Sequence, residues 1–275
     1  MENNTITPLT RYTNSIQTIT AFVTDKFILD LSKQARINTE PYRFLYTILI
    51  KQNNALESVN LLIANIKTKP QFLDSTFILL RTMMSDIITL EYALTKTDES
   101  DESDEKLKEQ IERIYYDHLH YSLQNMKSLG SLYDDQKESQ AKIEELKKFN
   151  SEYFDIEGKL KFKFDRTSFV KMMKEIKKSL SPKFSIAPAM IAYENYSKFS
   201  KHEHFGKLTL FLITRGFKDE NIETILREVQ TSIDVILYYQ GLLIDLLCLP
   251  NSGEETKDIA DYKELKKRIE TMKLE

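Results

Sequence analysis

A phenol, a hydroxyl and an imidazole recur at helical spacing early in the last third of the chain. Tyr196, Ser200 and His204 stand at i, i+4 and i+8 in Tyr196-Ser-Lys-Phe199-Ser200-Lys-His-Glu-His204. On a helix these positions line one side. Histidine titrates near neutrality, so the stripe could relay a proton or hold a ligand. It could equally be a hydrogen-bond ladder that satisfies buried polar groups between helices. A second set lies in Arg113-Ile-Tyr-Tyr-Asp117-His118-Leu-His120. There Arg113, Asp117 and His120 fall on one face at i, i+4 and i+7, while His118 swings off it. An arginine can grip a phosphate and a histidine can move a proton during attack by a ribose 2′-hydroxyl.

A basic stretch offers a different chemistry. From Lys159 to Lys183 there are nine basic residues, Lys161, Lys163, Lys171, Lys174 and Lys178 among them, against only Asp165 and Glu175. On a helix Lys171, Lys174 and Lys178 share a face opposite Phe169, Met172, Met173, Ile176 and Leu180. The lysines could neutralise phosphates, with Phe162 and Phe164 stacking on bases, or could simply keep an amphipathic helix soluble.

Several chemistries are disfavoured. The four histidines form two His-x-His pairs, and residues two apart on a helix point away from each other. Neither Glu-x-x-His nor His-Glu-x-x-His occurs, and the single cysteine rules out an intrachain disulfide. No metal and no cofactor is therefore expected. Cys248 lies in Leu246-Leu-Cys248-Leu249 and reads as a packed thiol rather than a reactive one. The formal net charge of −3 marks no general nucleic-acid binder.

The elements that would carry these groups are helices. With only six glycines and six prolines the chain is poor in hairpin turns and phosphate loops. Apolar residues recur at helical period over about 41–67, 71–95, 105–130, 135–149, 166–180, 187–204, 219–249 and 256–273, with an earlier helix over 13–36. The window Ile233–Leu249 is the greasiest, but Asp234, Gln240 and Asp245 make it a buried core helix rather than a membrane span. Six acidic residues in nine positions over 97–105 read as a solvated loop, and 150–164 reads as an irregular segment with a short extended piece. The expectation is an all-α, elongated up-and-down bundle of eight or nine helices, forming a single domain over 1–275. A split near 150 is the alternative. The lack of a basic start followed by an apolar stretch and the lone cysteine place the chain in the cytoplasm, with no membrane partner.

The pattern Tyr196-x-x-Phe199-Ser200-x-x-x-His204, followed by a loop and a long helix, resembles bacterial all-helical proteins of unknown function grouped as distant HEPN-like relatives. These tend to show Tyr-x-x-Leu-Ser-x-x-x-His, so Phe199 stands where leucine is usual. Their earlier signature, an arginine followed by an acidic residue and a tyrosine, is similar to Leu80-Arg81-Thr-Met-Met-Ser-Asp86 running on to Glu91-Tyr92, with Asp86 where glutamate is usual. The arginine-to-histidine spacing of Arg113 and His118 is that of HEPN ribonucleases, although Ile114 replaces their polar residue after the arginine. The resemblance implies an up-and-down helical core in which Arg81, Tyr196, Ser200 and His204 converge. It further implies RNA binding or metal-independent cleavage in toxin or phage-defence settings, by Arg81 with His204 or, second, Arg113 with His118 or His120, in a homodimer. The contrasting expectation is a non-catalytic interaction module whose Tyr/Ser/His ladder is structural.

Overall fold

In the computed structural model the described residues are 7–66, 68–69, 72–95, 103–132, 136–161, 168–179, 187–203, 219–248 and 256–272. Among them the chain is an all-α helical bundle with no named strand. The helices are α1 (Pro8–Val23), the short α2 (Leu29–Leu31), α3 (Tyr42–Ala64), α4 (Phe72–Leu94), α5 (Ser103–Leu132), α6 (Gln136–Phe149), α7 (Phe169–Ser179), α8 (Ala187–Glu203), α9 (Asp219–Cys248) and α10 (Lys257–Glu270). Residues 1–95 together with 172–275 form one compact unit, and residues 96–171 form a second.

The first unit is built around α9, which packs against α3, α4, α8 and α10. Leu226, Val229, Ile233, Ile236, Leu237, Leu243, Ile244 and Leu247 repeat at helical period and are all buried. By length and composition Ile225–Cys248 could cross a membrane, but most of it is covered by the bundle. Helix α3 presents Leu45, Leu49, Leu56, Val59 and Ile63 to the core, and α4 presents Phe77, Leu80, Met84, Ile87 and Ile88. The pairing of α4 with α8 is the most extensive among the described residues. Near the start of α4 and the end of α8 the Phe77 and Phe199 rings stack, with centroids 4.9 Å apart and planes 20° apart.

Local chemistry sets the ends. Thr7 Oγ1 accepts from the Thr10 amide at 3.2 Å ahead of Pro8, so α1 begins five residues earlier than hydrophobic periodicity predicts. The same helix widens into a π turn over Thr24–Ile28. At its start a side chain from another helix docks: Asn53 Nδ2 donates to the Thr20 carbonyl at 3.1 Å and to Thr24 Oγ1 at 2.9 Å, while the Thr20 carbonyl keeps its bond from the Thr24 amide. Asn53 Oδ1 in turn accepts from Gln240 Nε2 at 3.1 Å, and Tyr262 Oη lies 2.9 Å from the Leu237 carbonyl and 3.2 Å from Gln240 Oε1. This buried polar chain links α1, α3, α9 and α10. Gly241 lets Tyr262 come close, since a Cβ there would meet its ring carbon at 3.3 Å.

In the second unit α5 and α6 form an antiparallel hairpin, with Ser139 Oγ donating to the Met126 carbonyl at 2.7 Å. The acidic run enters the helix sooner than expected, because α5 starts at Ser103, where acidic residues suit a helix N-terminus. The irregular segment holds a 3₁₀ turn (Ser151–Tyr153) and a single bridge between Phe154 and Leu160. Gly158, at φ 71°, makes the tight return that the bridge requires.

Candidate functional site

Helix α4 carries Arg81 on the flank of its core stripe, and α8 carries Tyr196 and Ser200 one turn apart on the side that meets it. The register is held by apolar neighbours: Phe199 stacks on Phe77 while Ala189 and Ala192 let the helices approach closely. Asn195 Nδ2 adds a buried hydrogen bond to Ser232 Oγ of α9 at 2.9 Å.

Within that frame Arg81 Nε donates to Ser200 Oγ at 3.1 Å, and the guanidinium carbon lies 5.4 Å from the centre of the Tyr196 ring. Ser200 Oγ donates its own proton to the Tyr196 carbonyl at 2.7 Å. One hydroxyl therefore accepts from arginine and gives to the backbone, which fixes the Nε edge of the cation. The ring beneath holds its flat face through cation–π attraction. All three side chains are partly exposed. This is an arginine whose orientation is set in advance, the arrangement that favours bidentate recognition of phosphate or carboxylate.

Three of the four residues whose convergence the resemblance implies thus meet in space, across 119 positions of sequence. His204 lies outside the described residues. Tyr196 contributes its ring face to the cation.

The acidic and tyrosine positions that follow Arg81 do not join it. Asp86 pairs with Lys51 of α3 at 2.7 Å, and burial pushes its carboxyl up against the pull of that lysine. Burial also raises Glu91, which accepts a hydrogen bond from Tyr239 of α9, and Tyr239 is itself raised by burial and by the Glu91 charge. Tyr92 Oη lies 3.4 Å from Glu175 Oε2 of α7. These groups fan around α4 and tie it to three other helices.

The second-choice set lies on α5. Arg113, His118 and His120 are exposed there, with Asp117 partly covered, and Arg113 is paired with Glu109 one turn back. On α7, Lys171, Lys174 and Lys178 are exposed while Met172, Met173 and Ile176 are buried, the division its periodicity predicts. Lys161 is exposed and donates to the Glu152 carbonyl at 2.6 Å; Lys163, Phe162 and Phe164 lie outside the described residues. Cys248 is no nucleophile, since burial, with help from Asp245, pushes its thiol up to about 11 despite nearby Arg36. Among the described residues no group of three or more His, Cys, Asp or Glu side chains could hold a metal ion.

The model of the family of unknown function DUF5677 matches residues 42–224, two thirds of the chain. The chain belongs to this family. The matched region contains α3 to α8, and hence Arg81, Tyr196 and Ser200, whereas α1, α10 and most of α9 fall outside it. No curated protein and no solved structure matches the chain.

Proposed function

We propose that this DUF5677 member is a HEPN-like protein of the bacterial cytoplasm that binds and cleaves RNA in a toxin or phage-defence setting. The observation that carries the reading is the pre-oriented guanidinium of Arg81, held at Nε by Ser200 and on its face by Tyr196. In this reading Arg81 receives the scissile phosphate. His204, four residues beyond Ser200 in sequence, takes the proton from the ribose 2′-hydroxyl. The 2′-oxygen then bonds to phosphorus, the bond to the 5′-oxygen breaks, the leaving oxygen takes a proton from water, and the resulting hydroxide is neutralised by the proton that His204 accepted. No metal is needed. The exposed lysines of α7 supply further phosphate contacts, and a homodimer is the assembly that the resemblance implies.

The test is a titration of fluorescently labelled RNA at low and high salt, with RNA integrity scored in parallel. Arg81→Ala should weaken binding by about 10- to 100-fold, the range for loss of charge-assisted hydrogen bonds. Arg81→Lys, which keeps charge but loses the planar fork, should recover only part of it. His204→Ala should bind normally and leave RNA intact. Unchanged RNA affinity in a folded Arg81→Ala protein would overturn the proposal. One observation favours a second reading: the same contacts fasten α8 to α4. An interaction module built on them would lose thermal stability in Arg81→Ala and show no salt-sensitive RNA binding in any form.

A further inference from the structure

Helix α10 closes the first unit by laying Ile259, Tyr262 and Ile269 onto α1 and α9. Beneath its last turns lies a group of polar atoms that the RNA reading does not use. Tyr12 of α1 is fully buried, and its hydroxyl has no hydrogen-bond partner among the described residues. Asp234 of α9 has one carboxylate oxygen, Oδ1, buried and likewise without a donor. A buried carboxylate oxygen lacking a donor strongly disfavours the ionised form. The charged groups facing Asp234 among the described residues come from α10: Glu270, which repels its charge, and Lys266, which attracts it. Lys266 divides its attraction, lying 3.5 Å from Glu270 and 5.3 Å from the centre of the Tyr238 ring. Burial first, and the Asp234 charge second, raise the Tyr12 phenol, which therefore cannot supply a proton by ionising.

We propose that Asp234 is a proton-operated clasp for the C-terminal helix: α10 docks firmly over the neutral acid and loosens when the acid ionises. Burial first and Glu270 second raise this carboxyl to about 7, against the ordinary range near 4 that it regains once α10 lifts. The sign follows. A carboxyl raised in the closed state contributes full stability below the open-state value, and that stability drains away as pH climbs towards the closed-state one. Closure should therefore weaken by about tenfold per pH unit between roughly 4 and 7, and then level off.

Hydrogen exchange along Lys257–Glu270, corrected for intrinsic rates, reads this directly. Between pH 5 and pH 7 the wild type should lose on the order of 100-fold in protection, while Asp234→Asn stays flat. Two substitutions on α10 should move the midpoint in opposite directions. Glu270→Gln, removing a repelling charge, shifts it to lower pH; Lys266→Gln, removing an attracting one, shifts it higher. Should Asp234→Asn fail to fold, this opposed pair still decides the matter. Equal pH slopes in wild type and Asp234→Asn, or shifts of the same sign in the α10 variants, would sink the clasp.

Discussion

Phe199→Ala should cost about 3–5 kcal/mol of unfolding free energy, the range for truncating a fully buried aromatic ring. Phe199 is 1% exposed and stacks on Phe77 at the most extensive helix pairing among the described residues. Alanine removes the ring and leaves a cavity between two helices that are pinned elsewhere and cannot fully collapse. Phe199→Leu is the informative partner, keeping most of the volume and losing only the aromatic contact, at about 1–2 kcal/mol. Urea unfolding followed by circular dichroism measures both. The consequence reaches the site, because Ser200 is the next residue and its 3.1 Å contact with Arg81 depends on the register that Phe199 holds. If Phe199→Ala unfolds within 1 kcal/mol of wild type, the α4–α8 packing described above is wrong.

The second large effect belongs to Asn53, which is 1% exposed and serves both ends of a buried relay. Its amide nitrogen satisfies the Thr20 carbonyl and Thr24 Oγ1, and its oxygen accepts from Gln240. Asn53→Ala strands the Gln240 donor in a dry interior and opens a small void, so a loss of about 3–4 kcal/mol is expected, since each orphaned buried group costs about 1–3 kcal/mol. Taking out both partners should hurt less than taking out one. Asn53→Leu combined with Gln240→Met removes donor and acceptor together, leaving no amide unpaired, and should lie nearer wild type than Asn53→Ala. A double variant as unstable as the sum of its singles would show that the two amides do not interact.

Much of this architecture is legible in the residues because helical period is a local signal. The apolar repeats of 41–67 and 71–95 foretell α3 and α4 to within a few residues. What escaped is non-local. The π turn at Thr24–Ile28 begins where Asn53, which belongs to the next long helix, docks on Thr24, and the turn's own sequence does not announce that partner. The start of α1 was readable in principle, since Thr7-Pro8 is a capping residue before a proline, but the polar residues after it hid the apolar stripe. Asp234 and Gln240 stand out in the sequence only as breaks in a greasy run. One proves to be a strained acid under α10 and the other a structural link, a distinction that neighbours far along the chain create. Arg81 and Ser200 could be paired through a family likeness alone; spacing could not have joined them. The stripe of Tyr196 and Ser200 was visible, but not that arginine would choose the tyrosine's ring and occupy the serine's lone pair.

The first compact unit is assembled from two stretches of chain with the whole of residues 96–171 between them. A ribosome therefore delivers Arg81 long before Ser200 and Tyr196, and a nascent polypeptide released anywhere in between carries the cation without its seat. Prematurely terminated products would lack the Arg81–Ser200 contact: only a ribosome that has read past both halves can yield a molecule in which it forms. The cation and its seat are thus completed together, by an ordering written into the topology.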